Sequence, residues 1–291
     1  MSTLELLTTL ISEASPRVLS GRAGVLRQLT DTLRSHDVPF TYDEHRFLHD
    51  RLYAACTFHV QRRIVTLLEQ VASGILTLSE FRTQAAALTR RPSDTSLALI
   101  DSREFEAVLA GQPASPQPEA IAALPWLDHA GMRSYVDTSV SLALLGRRIT
   151  QDQGVRNHSD EFHLFTVNVD VVLDNTVKTA EAIVHEASHN ALNVFLEDRK
   201  ITLKDNPLLW YSPWTKSHRH HRGIVHGFFA FTLVTMFYQC LQVPEFKTEI
   251  DAYANLQAEQ LRTVYPSLRE ILSDYPHELA ALIEQTYDSL R

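Results

Sequence analysis

The chain has 291 residues, enough for one large core or two smaller ones. At 44% hydrophobic and 21% charged, with 9 Gly and 12 Pro, the composition excludes fibrous and low-complexity classes. A net charge of -8 argues against general nucleic-acid binding, which needs a basic surface. Two cysteines, Cys56 and Cys240, cannot build a disulfide framework; both lie in apolar helical stretches, so buried free thiols in a reducing cytoplasm are expected. The N-terminus lacks the basic region and cleavage site of a secretory signal.

Helices are expected over residues 3–14, 17–35, about 42–73 and 78–88. Nothing in residues 1–110 looks catalytic, so this helical N-terminal region packs the core or docks a peptide partner. Residues 111–119, G-Q-P-A-S-P-Q-P-E, combine three Pro with small polar residues and mark a boundary. Beyond it, residues 120–291 form the metal-binding catalytic region. Residues 139–145 and 161–173 read as strands; in the second, Phe165, Val167, Val169 and Val171 alternate with Thr166, Asn168 and Asp170. An edge strand there could pair with an extended peptide, although a plain sheet strand fits the pattern equally well. The expected fold is mainly α with a small β-sheet, an α+β architecture that is zincin-like around a helix and an edge strand.

That helix carries the sharpest signal. Asn175 or Thr176 offers an N-cap, and residues 178–199 run without Pro or Gly. Within it V-H-E-A-S-H-N places His185, Glu186 and His189 in an H-E-x-x-H array. Residues four apart share a helix face, so two imidazoles aim at one spot, and Glu186 sits about 100° round, within reach of a metal-bound water.

Two His do not complete a metal site. Leu192 and Phe195 stand where the astacin and matrix-protease pattern needs Gly and His. The thermolysin-like pattern needs a Glu on a later helix, yet residues 223–243 hold no carboxylate. Their strongest ligand is His226, flanked by Gly223 and Gly227, with Arg222 one turn earlier as an anchor for a carboxylate. A core His bonded to a carbonyl and a solvent-facing Arg are the plainer alternatives. The preceding loop, residues 205–221, adds His218, His220 and His221, whose basic neighbours suit cationic or hydrogen-bonding roles better than ligation. Residues 223–243 are uncharged and read as a buried core helix, with a membrane span as the alternative. Residues 245–291 read as helices interrupted at Pro266 and Pro276.

The pairing of V-H-E-x-x-H with a downstream S-P-W and R-x-x-R-G-x-x-H-G-x-x-x-F resembles the HExxH-type peptide-modification proteins of ribosomal peptide pathways. The likeness is carried by His185, Glu186, His189, Ser212, Pro213, Trp214, Arg219, Arg222, Gly223, His226, Gly227 and Phe231, within about residues 165–238. It implies an Fe(II)- and 2-oxoglutarate-dependent oxygenase that uses O2 to hydroxylate the β-carbon of a residue in a peptide, such as a ribosomally made precursor. His185, His189 and His226 would bind Fe(II), Arg222 or Arg219 the 2-oxoglutarate carboxylate, and Glu186 would orient a ligand or water. Apart from the resemblance, the lack of catalytic features in residues 1–110 suggests that a leader segment docks there. The chain departs from the family at Thr215, His218 and His220, where a basic residue after S-P-W and prolines around the first Arg are common. Three His equally describe catalytic Zn(II), in which case Glu186 is the general base of a metallopeptidase. A non-catalytic peptide-binding protein is a third reading. Neither nucleic acid nor membrane is an expected partner, and the oligomeric state is not fixed by the sequence.

Overall fold

The computed structural model describes residues 2–34, 66–67, 69–71, 73–88, 97–104, 115–154, 156–159, 164–204, 208–241, 243–244 and 247–290. Expectations for residues 42–65, Cys56 among them, and for residues 111–114 lie outside these. The elements are α1 (Thr3–Arg34), α2 (Leu78–Leu88), β1 (Ala98–Asp101), α3 (Pro118–Ile121), α4 (Leu124–His129), α5 (Arg133–Ser139), β2 (Leu142–Ile149), β3 (Thr166–Val172), α6 (Thr176–Asp198), β4 (Trp210–Ser212), β5 (Ser217–Arg219), α7 (His221–Cys240), α8 (Lys247–Leu272) and α9 (His277–Asp288). The architecture is mainly helical with a small sheet, α+β as expected.

Strands β1, β2 and β3 pair in that order and all in parallel, with Ala143 opposite Val167 and Leu145 opposite Val169. A parallel sheet is covered on both faces. The sequence alternation in β3 therefore does not separate core from solvent: Thr166 and Asp170 are buried along with Val167, Val169 and Val171. Asp170 is satisfied by a bulge in β2, where the register shifts between Leu145 and Arg148. There Arg147 gives it a backbone N–H at 2.9 Å and an ion pair through Nη2 at 2.5 Å. Gly146 makes this approach feasible, because a Cβ at that position would stand 2.9 Å from Asp170 Oδ1.

Helix α6 leaves β3 through a two-residue turn. Asn175 caps it by accepting the Lys178 N–H at 3.2 Å. It ends where Lys200 takes a φ of 55° and the Ile201 N–H returns to the Leu196 carbonyl at 2.8 Å. It packs on β3 and against α1, α5 and α7, so most of its circumference is buried. Leu7, Ile11, Ala14 and Val18 of α1 enter the same core as Ile183 and Leu192 of α6 and Phe228 of α7. Arg17 then clasps Asp198 through two hydrogen bonds, of 2.6 and 2.9 Å. Helix α1 of the N-terminal region thus shares one core with α6 and α7.

Several elements differ from expectation. Instead of two helices split at Pro16, Thr3–Arg34 is one helix that passes through it, and α8 likewise passes through Pro266 rather than breaking there. A proline inside a helix costs about 3 kcal/mol. In α8 the buried stripe of Ile250, Ala254, Leu261, Val264, Leu268 and Ile271 outweighs that cost. Residues 139–141 end α5 and precede β2, and β3 begins only at Thr166. Strand β1, helices α3 to α5 and the antiparallel β4–β5 hairpin were not foreseen. Cys240 is exposed, not buried, because α7 ends there at the surface. Among the described residues α7 alone is long and apolar enough to cross a membrane, and 72% of that window is buried inside the protein, as for a core helix.

Candidate metal centre

His185 and His189 are four apart on α6, and their Nε2 atoms lie 3.1 Å apart. The donor atoms of His185, Glu186 and His189 all fall within 4.8 Å of one another. His226, on α7, comes to the other side of His189, with Nδ1 to Nδ1 at 3.3 Å. Both separations match those of nitrogens that share an ion, roughly 3.3 Å for tetrahedral metal–nitrogen bonds of about 2.0 Å. They employ opposite nitrogens of His189, however, so the three imidazoles do not meet at one point as they stand. Cε1 lies between the two nitrogens of an imidazole, and a half-turn of the ring exchanges it with Nε2. That half-turn would set a single nitrogen of His189 between His185 and His226.

The environment keeps these rings neutral. Burial pushes His185 down to about 4, with the Glu181 carboxylate opposing. Burial and then the Arg222 charge bring His226 down to about 3. His189 is held well below the ordinary range by burial, by the two neighbouring imidazoles and by Arg222. Neutral imidazole is the form that ligates a metal. Among the described groups, nothing partners the buried Nε2 of His226. A buried polar atom without a partner costs about 1–3 kcal/mol, unless a bound group meets it.

Glu186 is buried, and its Oε2 accepts a hydrogen bond from Ser159 Oγ at 2.8 Å. Burial raises its carboxyl to about 7 against that bond. Ser159 reaches it because the segment before it pairs with the outer edge of β3, His158 and Asn168 exchanging bonds of 3.0 and 2.9 Å. The β3 edge, which could have paired with a peptide, is occupied at that point by the chain itself, as a plain sheet strand would be.

The S-P-W block folds against α7. Trp214 stacks on Phe231 with centroids 4.8 Å apart, and Phe231 meets His185 edge-on at 4.9 Å. Trp214 covers Gly227, where a Cβ would stand 3.4 Å from the indole, and donates its N–H to Gln257 at 3.2 Å. Behind His185, Glu181 accepts hydrogen bonds from Lys178, Tyr238 and Tyr253 at 2.6, 2.6 and 2.8 Å.

In front of the imidazoles opens a cleft of about 470 Å³. It is lined by His189 and His226, by Arg219 and Arg222, and by Ser159, Asn193, His218, His220 and Gly223. The structure therefore brings Arg219, Arg222, His189 and His226 together, with His185 and Glu186 behind them. His221 is separate: it is buried and bonds the Tyr275 hydroxyl at 3.1 Å. Asn193, one turn beyond His189, was legible as a face-sharing neighbour. Ser159 was not, since nothing in the sequence links it to Glu186 27 residues later. No family model matches the chain, and none of the curated proteins does.

Proposed function

We propose that the protein is an Fe(II)- and 2-oxoglutarate-dependent oxygenase that hydroxylates the β-carbon of a residue in a peptide. The observation that carries the reading is the guanidinium of Arg222 beside neutral, ligand-type imidazoles in one cleft. Such a site has an anchor for a dicarboxylate co-substrate as well as donors for a metal. His185 and His189 would hold the metal, and His226, whose Nδ1 lies 3.3 Å from His189, would be the third donor. Iron(II) with 2-oxoglutarate and O2 supplies the oxidising power to replace a C–H bond by C–OH while the keto acid becomes succinate and CO2.

The chain's own groups prepare this chemistry. Arg222 takes the far carboxylate of the keto acid. Phe231 and Trp214 exclude water from His185. Ser159 fixes the rotamer of Glu186, whose carboxyl, raised to about 7, can hold or release a proton near neutral pH. The exposed Cys240 thiol suits a reducing compartment, and we place the protein in the cytoplasm, acting on a peptide such as a ribosomally made precursor. Leader docking on residues 1–110 would have to use a face of α1 other than the one buried in the core.

A zinc metallopeptidase is the second reading, favoured by the closeness of the Glu186 carboxylate to His185 and His189. Arg222 has no assigned task in it.

Anaerobic purification, Fe(II) reconstitution and a succinate assay under O2 test the proposal, with Zn(II) as control. Iron-dependent succinate that disappears in both His189→Ala and His226→Ala is expected. Stoichiometric metal retained in His226→Ala would remove the third-donor assignment. Tight zinc with peptide cleavage and no succinate would move the assignment to the peptidase.

A further inference from the structure

We propose that the substrate peptide docks along β5 and sets an acidic side chain on Arg219. The inference deepens the oxygenase reading above and rests on its peptide substrate. The strand edges decide where an extended chain can lie. Beside the imidazoles, the outer edge of β3 is consumed by His158 at Asn168, and the Asp170 N–H is taken by Asn157 at 2.9 Å. Strand β5 pairs with β4 on one side, and among the described residues no strand pairs its other edge. His218 and Arg219 of β5, with His220 after them, line the same cleft as His189 and His226. A peptide added to this edge runs past the candidate metal centre, and main-chain hydrogen bonds hold it irrespective of sequence.

Charge then selects the occupant. The chain as a whole carries -8, yet among the described residues lining the cleft none is a carboxylate and two are arginines. The two guanidinium groups have separate positions. Arg222 is half-buried in the first turn of α7 and acts on His189 and His226. Arg219 is exposed on the hairpin, its stem lying across Gly223, where a Cβ would come within 3.0 Å of Arg219 Cβ and Nε. The inner arginine suits a small co-substrate, and the rim arginine suits a group arriving on a larger ligand. A carboxylate can take the planar guanidinium fork with two charge-assisted hydrogen bonds. Tyr211, exposed beside His218 with rings 5.8 Å apart, adds an apolar surface for a neighbouring peptide side chain. The overall negative charge repels a polyanion and leaves a peptide with local acidity as the fitting class.

The test is binding without metal or co-substrate. Two short labelled peptides, alike except for Asp or Asn at the central positions, are titrated with the full-length metal-free chain, and fluorescence anisotropy is read at low and at physiological salt. The Asp peptide is expected to bind at least about tenfold more tightly than its Asn twin, with a margin that shrinks as salt rises. Arg219→Gln should erase the margin, and Arg219→Lys should keep part of it, because charge is retained and the fork is lost. Equal binding of the twins, no binding of either, or a margin that survives Arg219→Gln overturns the proposal. Displacement of the Asp peptide by a far tighter single-stranded oligonucleotide also overturns it. A failed succinate assay beside a positive peptide result would remove the oxygenase reading and leave the acidic docking strand in place. Succinate formation beside a negative peptide result would remove the docking strand alone.

Discussion

Trp214 lies flat against Phe231, 8° from parallel, and it is the far edge of this stack that touches His185. The hairpin is thus coupled to the imidazole pair through aromatic packing rather than through a polar bond. Phe231→Leu keeps an apolar side chain but loses both ring contacts, so it should cost about 1–2 kcal/mol of stability. Water admitted beside His185 should raise its titration from about 4 toward the ordinary value. NMR titration of the His185 ring in the metal-free protein checks this, and an unchanged midpoint would mean that Phe231 does not shield the ring.

Glu186 gives the metal-free protein a specific dependence on pH. Its carboxyl titrates near 7 in the folded state and near 4.5 unfolded, so the stability it contributes is present below about 4.5 and is lost as pH rises through 7. His185 works the other way: folded near 4 and unfolded near 6.5, it favours folding above 6.5 and ceases to as pH falls through 4. Glu186→Gln removes only the first contribution. The variant should gain on the native protein by on the order of 3 kcal/mol between about pH 4.5 and pH 8, read from urea unfolding with a chelator present. A stability difference constant across that range would show that Glu186 is ionised throughout.

Gly146→Ala tests the bulge that holds the sheet together beside the site. The added methyl would meet Asp170 Oδ1 at 2.9 Å, and the carboxylate cannot withdraw without loosening its bonds to Arg147 and to the Arg156 N–H. A loss of about 1–3 kcal/mol is expected, seen as a lower Tm. The same change at Gly154, where a Cβ meets nothing within 4 Å, should be close to neutral and serves as the control. Equal effects at the two glycines would show that the Asp170 contact is not what requires Gly146.

What was legible in the sequence follows the strength of local signals. Helix α6 has a cap, a long run without breakers and two His at helical spacing, and it forms as read. Helix α7 announces itself by the long uncharged run that follows Arg222. Pro16 and Pro266 misled because the force holding α1 and α8 together is tertiary burial, which a local breaker rule does not register. Strand β1 is four residues long and the hairpin strands three each, too short for a period to emerge. At the site, the His185–His189 pair is fixed by helix geometry alone, whereas the approach of His226 to one side of His189 depends on how α7 packs on α6. Ser159 reaches Glu186 only because its segment adds to the β3 edge, a non-local pairing with no trace in spacing or composition.

Arg222 is the residue on which the oxygenase assignment turns. One helical turn before His226, it lowers the proton affinity of both His226 and His189 and lines the cleft in front of them. Arg222→Gln removes a positive charge beside imidazoles that burial keeps neutral, so metal binding near neutral pH should hold or strengthen slightly. The 2-oxoglutarate requirement should rise by at least about tenfold, the worth of a charge-assisted bidentate contact. Arg222→Lys should restore little, because a point charge does not reproduce the fork. A direct measure avoids dependence on turnover: Co(II) absorbance titration reports metal affinity, and calorimetry with 2-oxoglutarate on the Co(II) form reports co-substrate affinity. Arg222→Gln with native affinities for both would strip the site of its anchor for a dicarboxylate. Loss of both together would instead assign Arg222 to holding the imidazoles in place, and the cleft would then have to find its co-substrate contact elsewhere.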